Sequence, residues 1–405
     1  MRSLLFLLVL MFIQAGCEKE SEGPKNPRQL QLPSKSTEII NQSNRFGINL
    51  FIATDAVENK NLMLSPVSAS TALTMLLNGC RNDTYLQIRD MLGYKGLTTG
   101  EINATYQSLV SQLLDLDPEI ELALANAVWY RNSFQVHQAY LDSMNQAFRA
   151  RIGALDFNSP DAITTINGWA SENTNGKIQK VIQEISAETV MFLMNALYFK
   201  GTWTYQFDKK LTAMAPFYLQ DGSTVQVETM KGEFPLRLYS TMDYAAAELT
   251  YGQQNFSMVL IEPVQSLDEF LSGFTPEDWQ ELVSNLDDIT EPSESEISLP
   301  KFKFDYEKIL NDQLASLGMI DAFQPYVADL GGISDESIFV SFVQQNTFVD
   351  VNEEGTEAAA VTTIGIEYTS VGPDPFIVDK PFVFAIRERT TGTLLFIGKV
   401  ILPEY

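Results

Sequence analysis

The 405-residue chain contains one histidine, His137, and two cysteines, Cys17 and Cys80. A Ser-His-Asp or Cys-His centre needs a base that titrates near neutral pH within reach of its nucleophile. His137 stands in Ser133–Ala139 with no cysteine beside it and no Gly-x-Ser-x-Gly elbow, which reads as a loop or helix-start position. Two cysteines and one histidine offer no metal-ligand cluster. There is no P-loop and no Gly-x-Gly-x-x-Gly opening a helix. Among 52 acidic residues no spacing singles out a catalytic pair. Enzyme activity is therefore disfavoured, and neither a cofactor nor a metal is expected.

A different chemistry is written in residues 343–371, that of a peptide able to exist in two conformations. Phe342–Val351 is apolar and β-rich and should be a buried strand, which Glu353-Glu354-Gly355 then interrupts. Thr356–Ile366 follows with no proline, a single charge and many β-branched residues. Divided by the two-residue period of a strand, Thr356, Ala358, Ala360, Thr362, Ile364 and Ile366 form an uncharged face that can be buried. The other face, Glu357, Ala359, Val361, Thr363, Gly365 and Glu367, is bounded by charges. One reading is an ordinary strand after a glycine bend. The other is an exposed loop able to enter a sheet, where small Ala358–Ala360 pass between strands and Gly355 frees the bend at the base. Thr356–Thr369 would span roughly 45 Å as a strand.

Such a segment needs a sheet to receive it, and the rest of the chain supplies elements of the right kind. Apolar spacing near 3.6 predicts a helix over Thr37–Thr54, and Ser65-Pro66 caps another over Pro66–Asn78. Asn82-Asp83 is expected to cap a helix to Leu92, and Glu101–Leu114 is amphipathic. Ala123–Arg131 and Thr189–Phe199 read as central strands buried on both faces. Later strands are expected at Glu228–Lys231, Leu236–Tyr239, Ala245–Thr250, Ser257–Ile261, Ile297–Phe304, Phe382–Arg389 and Leu394–Val400. Helices are expected at Leu267–Leu271, Pro276–Ser284 and Asp305–Leu317. Helices first and mostly antiparallel strands later make an α+β fold.

The bulk numbers limit the partners. A net charge of -25 argues against nucleic acid and against electrostatic docking on anionic lipid. Residues 1–16 read as a signal peptide: Arg2, an apolar run over Leu4–Phe12, then Ala15-Gly16. That run is too short to span a bilayer. Ala15-Gly16-Cys17 resembles the lipobox of bacterial lipoproteins, with Gln14 where an aliphatic residue is usual. Cys17 is therefore expected to be lipidated, with plain signal cleavage as the alternative. Residues 17–34 read as a flexible tether and 35–405 as one large domain. An extracytoplasmic protein follows, lipid-anchored to the bacterial outer membrane or cell surface, or secreted. Cys80 would then be the only other thiol, leaving no intramolecular disulfide.

Glu353-Glu354-Gly355-Thr356-Glu357-Ala358-Ala359-Ala360 resembles the reactive-loop hinge of the serpins, a family of serine protease inhibitors. The likeness extends over nearly all of Lys35–Tyr405. Asn61–Ser68 (Asn-Leu-Met-Leu-Ser-Pro-Val-Ser) is similar to the family's shutter motif, and Asn195–Trp203 to its central-strand and breach motif. Ile166-Asn167 through Ile178, Leu299-Pro300-Lys301-Phe302, Ala328-Asp329-Leu330, Asp379–Phe384 and Phe396–Val400 also match, in order.

The resemblance implies three β-sheets, eight to nine helices and an exposed reactive loop at about 353–375. A target protease would cleave that loop, which inserts as a new central strand while still carrying the acylated enzyme. Glu353 is implied to pair with Lys301, and Asn61, Ser65, Ser68 and Asn195 to hydrogen-bond beneath the sheet. Gln345 stands where the family usually has a shutter histidine. Counting from Gly355 places the scissile bond at Thr369-Ser370; counting back from Lys380-Pro381-Phe382 places it at Ser370-Val371; Tyr368-Thr369 would suit a chymotrypsin-like pocket. With no Lys or Arg between Gly355 and Asp379, the resemblance implies an elastase-, subtilisin- or chymotrypsin-like target, or a papain-like cysteine protease. The inhibitor is expected to be a monomer. The alternative is a non-inhibitory member serving as a binding protein or chaperone.

Overall fold

The structure, a computed structural model, describes residues 27–356 and 375–405. The leader, Cys17, the tether up to residue 26, Glu357, Ala358, Ala359, Ala360 and the bond region Tyr368, Thr369, Ser370 and Val371 lie outside the described residues.

One sheet of the fold has six strands. In space its order is β10 (Phe302–Ile309), β11 (Gln344–Asn352), β12 (Gly355–Thr356), β4 (Met191–Thr202), β2 (Ile120–Arg131) and β3 (Arg151–Leu155). The apolar runs expected to be central strands are β2 and β4, paired antiparallel over eleven positions from Ile120↔Gly201 to Tyr130↔Met191. The upper part of β4 is buried, whereas Met191, Leu193, Met194 and Asn195 in its lower part are only half-buried.

The remaining strands form two sheets that share one long strand, β6 (Thr224–Ser240). On one side of it run β7 (Tyr244–Tyr251), β8 (Phe256–Pro263), β14 (Phe382–Glu388), β15 (Leu394–Val400) and β1 (Leu62–Leu64). On the other lie β5 (Ala213–Tyr218), β9 (Ser293–Pro300) and β13 (Phe376–Ile377). Phe302, Phe382, Phe384, Met258 and Leu260 are among the core side chains beneath the first sheet.

Nine α-helices occur among the described residues: α1 (Ser36–Asp55), α2 (Pro66–Leu77), α3 (Asn82–Met91), α4 (Thr99–Leu113), α5 (Gln138–Phe148), α6 (Pro160–Glu172), α7 (Leu267–Gly273), α8 (Pro276–Asp287) and α9 (Asn311–Ser316). Every residue of α2 except Ala72 is buried. Its hydroxyls tolerate this because Ser70, Thr71 and Thr74 donate back to carbonyls one turn earlier.

Several expectations need correction. Ile297–Phe304 is not one strand: β9 ends at Pro300 and β10 begins at Phe302 in a different sheet, with Lys301 at the break. Asp305–Leu317 is helical only over Asn311–Ser316, because Phe302, Phe304 and Tyr306 alternate with Lys303, Asp305 and Glu307 at strand period. Glu228–Lys231 and Leu236–Tyr239 merge into β6. Asn82 does not cap α3; Arg81 holds that position, and Asn82 has φ 47° with its amide on Asp329. Helix α6 was not anticipated, and of α5 only the helix-start reading of His137 was.

The end of the tether is not free chain either. Asn255 takes Arg28 N–H (3.1 Å) and gives its amide to Arg28 O (2.9 Å). Gln112 does the same for Gln31, at 2.8 and 2.7 Å. Leu30 and Leu32, half-buried against the core, supply the apolar reason for this docking.

Candidate functional site

The site grows from Gly355. Its φ of +151° lies in a region that side chains rarely adopt, and a Cβ added there would meet Gly201 O at 2.0 Å and Thr202 Cα at 2.8 Å. Only glycine lets β12 lie between its neighbours, where Thr356 pairs with Val351 on one side and Gly201 on the other. Thr356 falls within the loop expected to be exposed, at about 353–375. It is instead already in the sheet, 3% exposed, with its hydroxyl 2.7 Å from Tyr251 Oη. The face expected to be buried is therefore the one that faces inward at its first residue.

The turn before β12 is held from several sides. Trp203 stacks on Tyr251 with centroids 4.3 Å apart and donates Nε1–H to Asn352 O at 2.9 Å. Trp203 N–H and Phe207 N–H donate to the carbonyls of Glu354 and Glu353, each at 3.0 Å. Glu353 is buried, accepts from Thr212 Oγ1 at 2.8 Å, and lies 3.6 Å from the Lys301 ammonium. Lys301 also faces Glu228 at 3.4 Å, and Glu354 pairs with Lys209. Burial pushes the Tyr251 phenol well up from its usual range, so it stays a neutral hydroxyl beside Thr356.

Lower down, the sheet and α2 are joined by Gln345, which reads both backbone groups of Ser65. Its amide donates to Ser65 O and its carbonyl accepts Ser65 N–H, each at 2.9 Å. Thr347 adds a bond from its hydroxyl to Met63 O at 2.8 Å. Ser65 caps α2 by accepting Ser68 N–H at 3.3 Å. The expected single cluster of Asn61, Ser65, Ser68 and Asn195 is divided. Asn195 bonds across to Asn126 on β2 (2.7 Å), which continues to Phe148 O (2.8 Å). Asn61 instead clasps residues 401–402, accepting both of their N–H groups and donating to Leu402 O. The reason is position: Asn61 precedes β1, which pairs with β15, so it ends beside that strand's exit.

Below Thr356, no pairing joins β4 to β11 among the described residues. A cavity of about 590 Å³ occupies this part of the sheet, lined by Met191, Leu193 and Asn195 of β4, Gln345 of β11, and Ala72 and Leu76 of α2. Counting down from the Val351–Thr356–Gly201 register brings Gln345 and Asn195 level across the gap. Asn195 Oδ1 is buried there without a hydrogen-bond partner among the described residues.

Sequence reasoning missed Tyr251, Thr212, Thr347 and Asn126. Only Asn126 left a local signal, as a lone amide within the apolar run of β2. His137 is the N-cap residue of α5, with its ring 3.1 Å from Asp335 and 3.3 Å from Gly332 O. Cys80 is buried and unpaired, and burial pushes its thiol up, away from the reactive thiolate.

A sequence profile described as serpin (serine protease inhibitor) matches residues 41–403. The leukocyte elastase inhibitor of Bos taurus is 34% identical over 373 residues, spanning 89% of this chain and 98% of that protein. The native-state structure of tengpin, a thermophilic serpin, superposes with a TM-score of 0.82 at 30% identity, covering 93% of this chain and 97% of that one. Human thyroxine-binding globulin complexed with thyroxine superposes with a TM-score of 0.82 at 25% identity, covering 92% and 100% of the two chains. The chain belongs to the serpin family.

Proposed function

We propose that this protein is an irreversible, suicide-substrate protease inhibitor. The observation that carries this reading is β12, two residues of hinge lodged between β11 and β4 above a stretch where those strands are not paired with each other among the described residues. Cleavage at Thr369-Ser370, or one residue to either side, would free the loop to continue downward from Thr356 while the protease remains acylated. The target class is an elastase-, subtilisin- or chymotrypsin-like serine protease, with a papain-like cysteine protease as the further option. The absence of Lys and Arg from 356–378 and a relative named for inhibiting leukocyte elastase support that class. The protein acts as a monomer outside the cytoplasm, held by a lipid on Cys17 or secreted after plain signal cleavage.

Incubation with elastase, subtilisin and chymotrypsin tests the reading. A complex that survives denaturing electrophoresis is expected with at least one of them. Clean loop cleavage by all, with no complex, would favour the second reading, a serpin fold retained for binding, for which thyroxine-binding globulin is the structural precedent. Cys17→Ala is expected to move the protein from the membrane fraction to the soluble one.

A further inference from the structure

Lys301 is placed to hold the hinge, yet its geometry gives it a divided allegiance. Its ammonium lies 3.6 Å from the buried Glu353 and 3.4 Å from the half-exposed Glu228, too far from either for a good hydrogen bond. A third group limits where it can go. The Tyr405 ring lies with its centroid 3.9 Å from Lys301 Nζ, within the range of a cation–π contact. The backbone that leads to this half-exposed ring is itself held in place. Asn61 clasps residues 401–402, Pro403 is buried, and Lys303 N–H donates to Glu404 O at 2.7 Å. The segment thus runs along the outer edge of β10 to the break between β9 and β10, where Lys301 stands. The Tyr405 phenol lies beside Asp350 and Asn352 of β11; burial, then the Asp350 charge, pushes it up to about 12.

Resting on the inhibitory reading for its purpose, we propose that Tyr405 is a positioning residue, which fixes the Lys301 ammonium against Glu353 and so sets how firmly Gly355–Thr356 is docked in the sheet. Without the ring, Lys301 is free to swing toward Glu228 and solvent, and the buried Glu353 loses its cation. The hinge would then leave the sheet more often. Asn61, expected beneath the sheet, acquires a different role, as the root that brings residues 401–405 to this place.

The test is amide hydrogen exchange at Gly355 and Thr356 in the intact protein, with no protease present. Tyr405→Leu is expected to speed exchange about two- to fivefold, the scale of one exposed cation–π contact. Tyr405→Phe keeps the ring and should leave exchange near the parent rate. In a Lys301→Met background, Tyr405→Leu should add nothing, because the ring acts through that lysine. Unchanged exchange in Tyr405→Leu overturns the proposal. So does an equal increment in both backgrounds, or a Phe variant as fast as the Leu variant. Because the measurement reads hinge docking alone, it stands or falls separately from whether the protein traps proteases.

Discussion

Gly355→Ala puts the hinge geometry to its hardest test. A methyl group there would sit 2.0 Å from Gly201 O, with backbone rather than a flexible side chain in its way. Strain from a non-glycine residue in that φ region costs of order 1–3 kcal/mol. Forcing a methyl into a filled space costs a further 1–3 kcal/mol or so. If β12 lifts out instead, Tyr251 and Thr356 lose their shared bond, and the Tyr251 hydroxyl remains buried without it. Either route penalises the paired state by at least about 2 kcal/mol, close to thirtyfold in a rate or equilibrium. On the proposed mechanism the inserted strand would pass through this same register, so slowing insertion by that factor would let deacylation win. The assay is the stoichiometry of inhibition with whichever test protease forms the stable complex, alongside exchange at the Thr356 amide. The variant should consume many molecules per enzyme trapped and release cleaved inhibitor. Parent-like stoichiometry together with parent-like protection at Thr356 would refute the steric argument.

Thr356→Arg should also convert trapping to turnover, since the side chain at this position is 3% exposed and faces Tyr251; continued trapping on a denaturing gel would contradict the insertion account. Gln345 bridges Ser65 without a titratable group, so insertion rates should be flat from about pH 5 to 8, whereas Gln345→His should introduce a pH dependence in that range. Glu248 would be pushed up by burial, but the Arg387 and Arg389 guanidiniums hold it down to about 2. A depressed carboxylate stabilises the fold above its unfolded pKa and loses that contribution as pH falls toward the folded one. Melting temperature should therefore drop between about pH 4.5 and pH 2, and by less in Glu248→Gln; an identical acid profile for the variant would remove Glu248 from the explanation.

The fold was legible wherever the apolar pattern was long or the caps were chemical: α1, α2, β2, β4 and the paired strands β14 and β15 all lie where their residues place them. It was illegible where two periods overlapped. Around Leu310, residues that alternate in β10 run directly into others spaced for α9, and the eye extends whichever pattern it counts first. At the site, the approach of Lys301 to Glu353 could be read from motif likeness, because family pattern links the two positions. Tyr251 could not, since its partner Thr356 lies 105 residues away and nothing near either one announces the other. Asn61 shows the opposite error. Its motif set it beneath the sheet, but the strand pairing of β1 with β15 decides what its amide can reach.

These observations together give the sheet a direction. At its top, Gly355 and Thr356 are paired on both sides, their turn is bonded through Trp203, Phe207 and Thr212, and Glu353 faces a cation. At the level of Asn195, six residues below Thr356 in register, the same two strands flank a cavity, β4 is half-buried, and an amide oxygen lacks a partner among the described residues. A buried unsatisfied acceptor costs about 1–3 kcal/mol, and half-buried apolar side chains forgo part of about 25 cal/mol per Å². Both deficits are relieved by a strand that supplies a donor and an uncharged inner face at that level. The closed top fixes the register in which such a strand enters, so pairing can propagate downward one residue at a time from Thr356. On the proposed mechanism the stabilised end would thus act as the nucleus, and the unsatisfied end would provide the reason to continue.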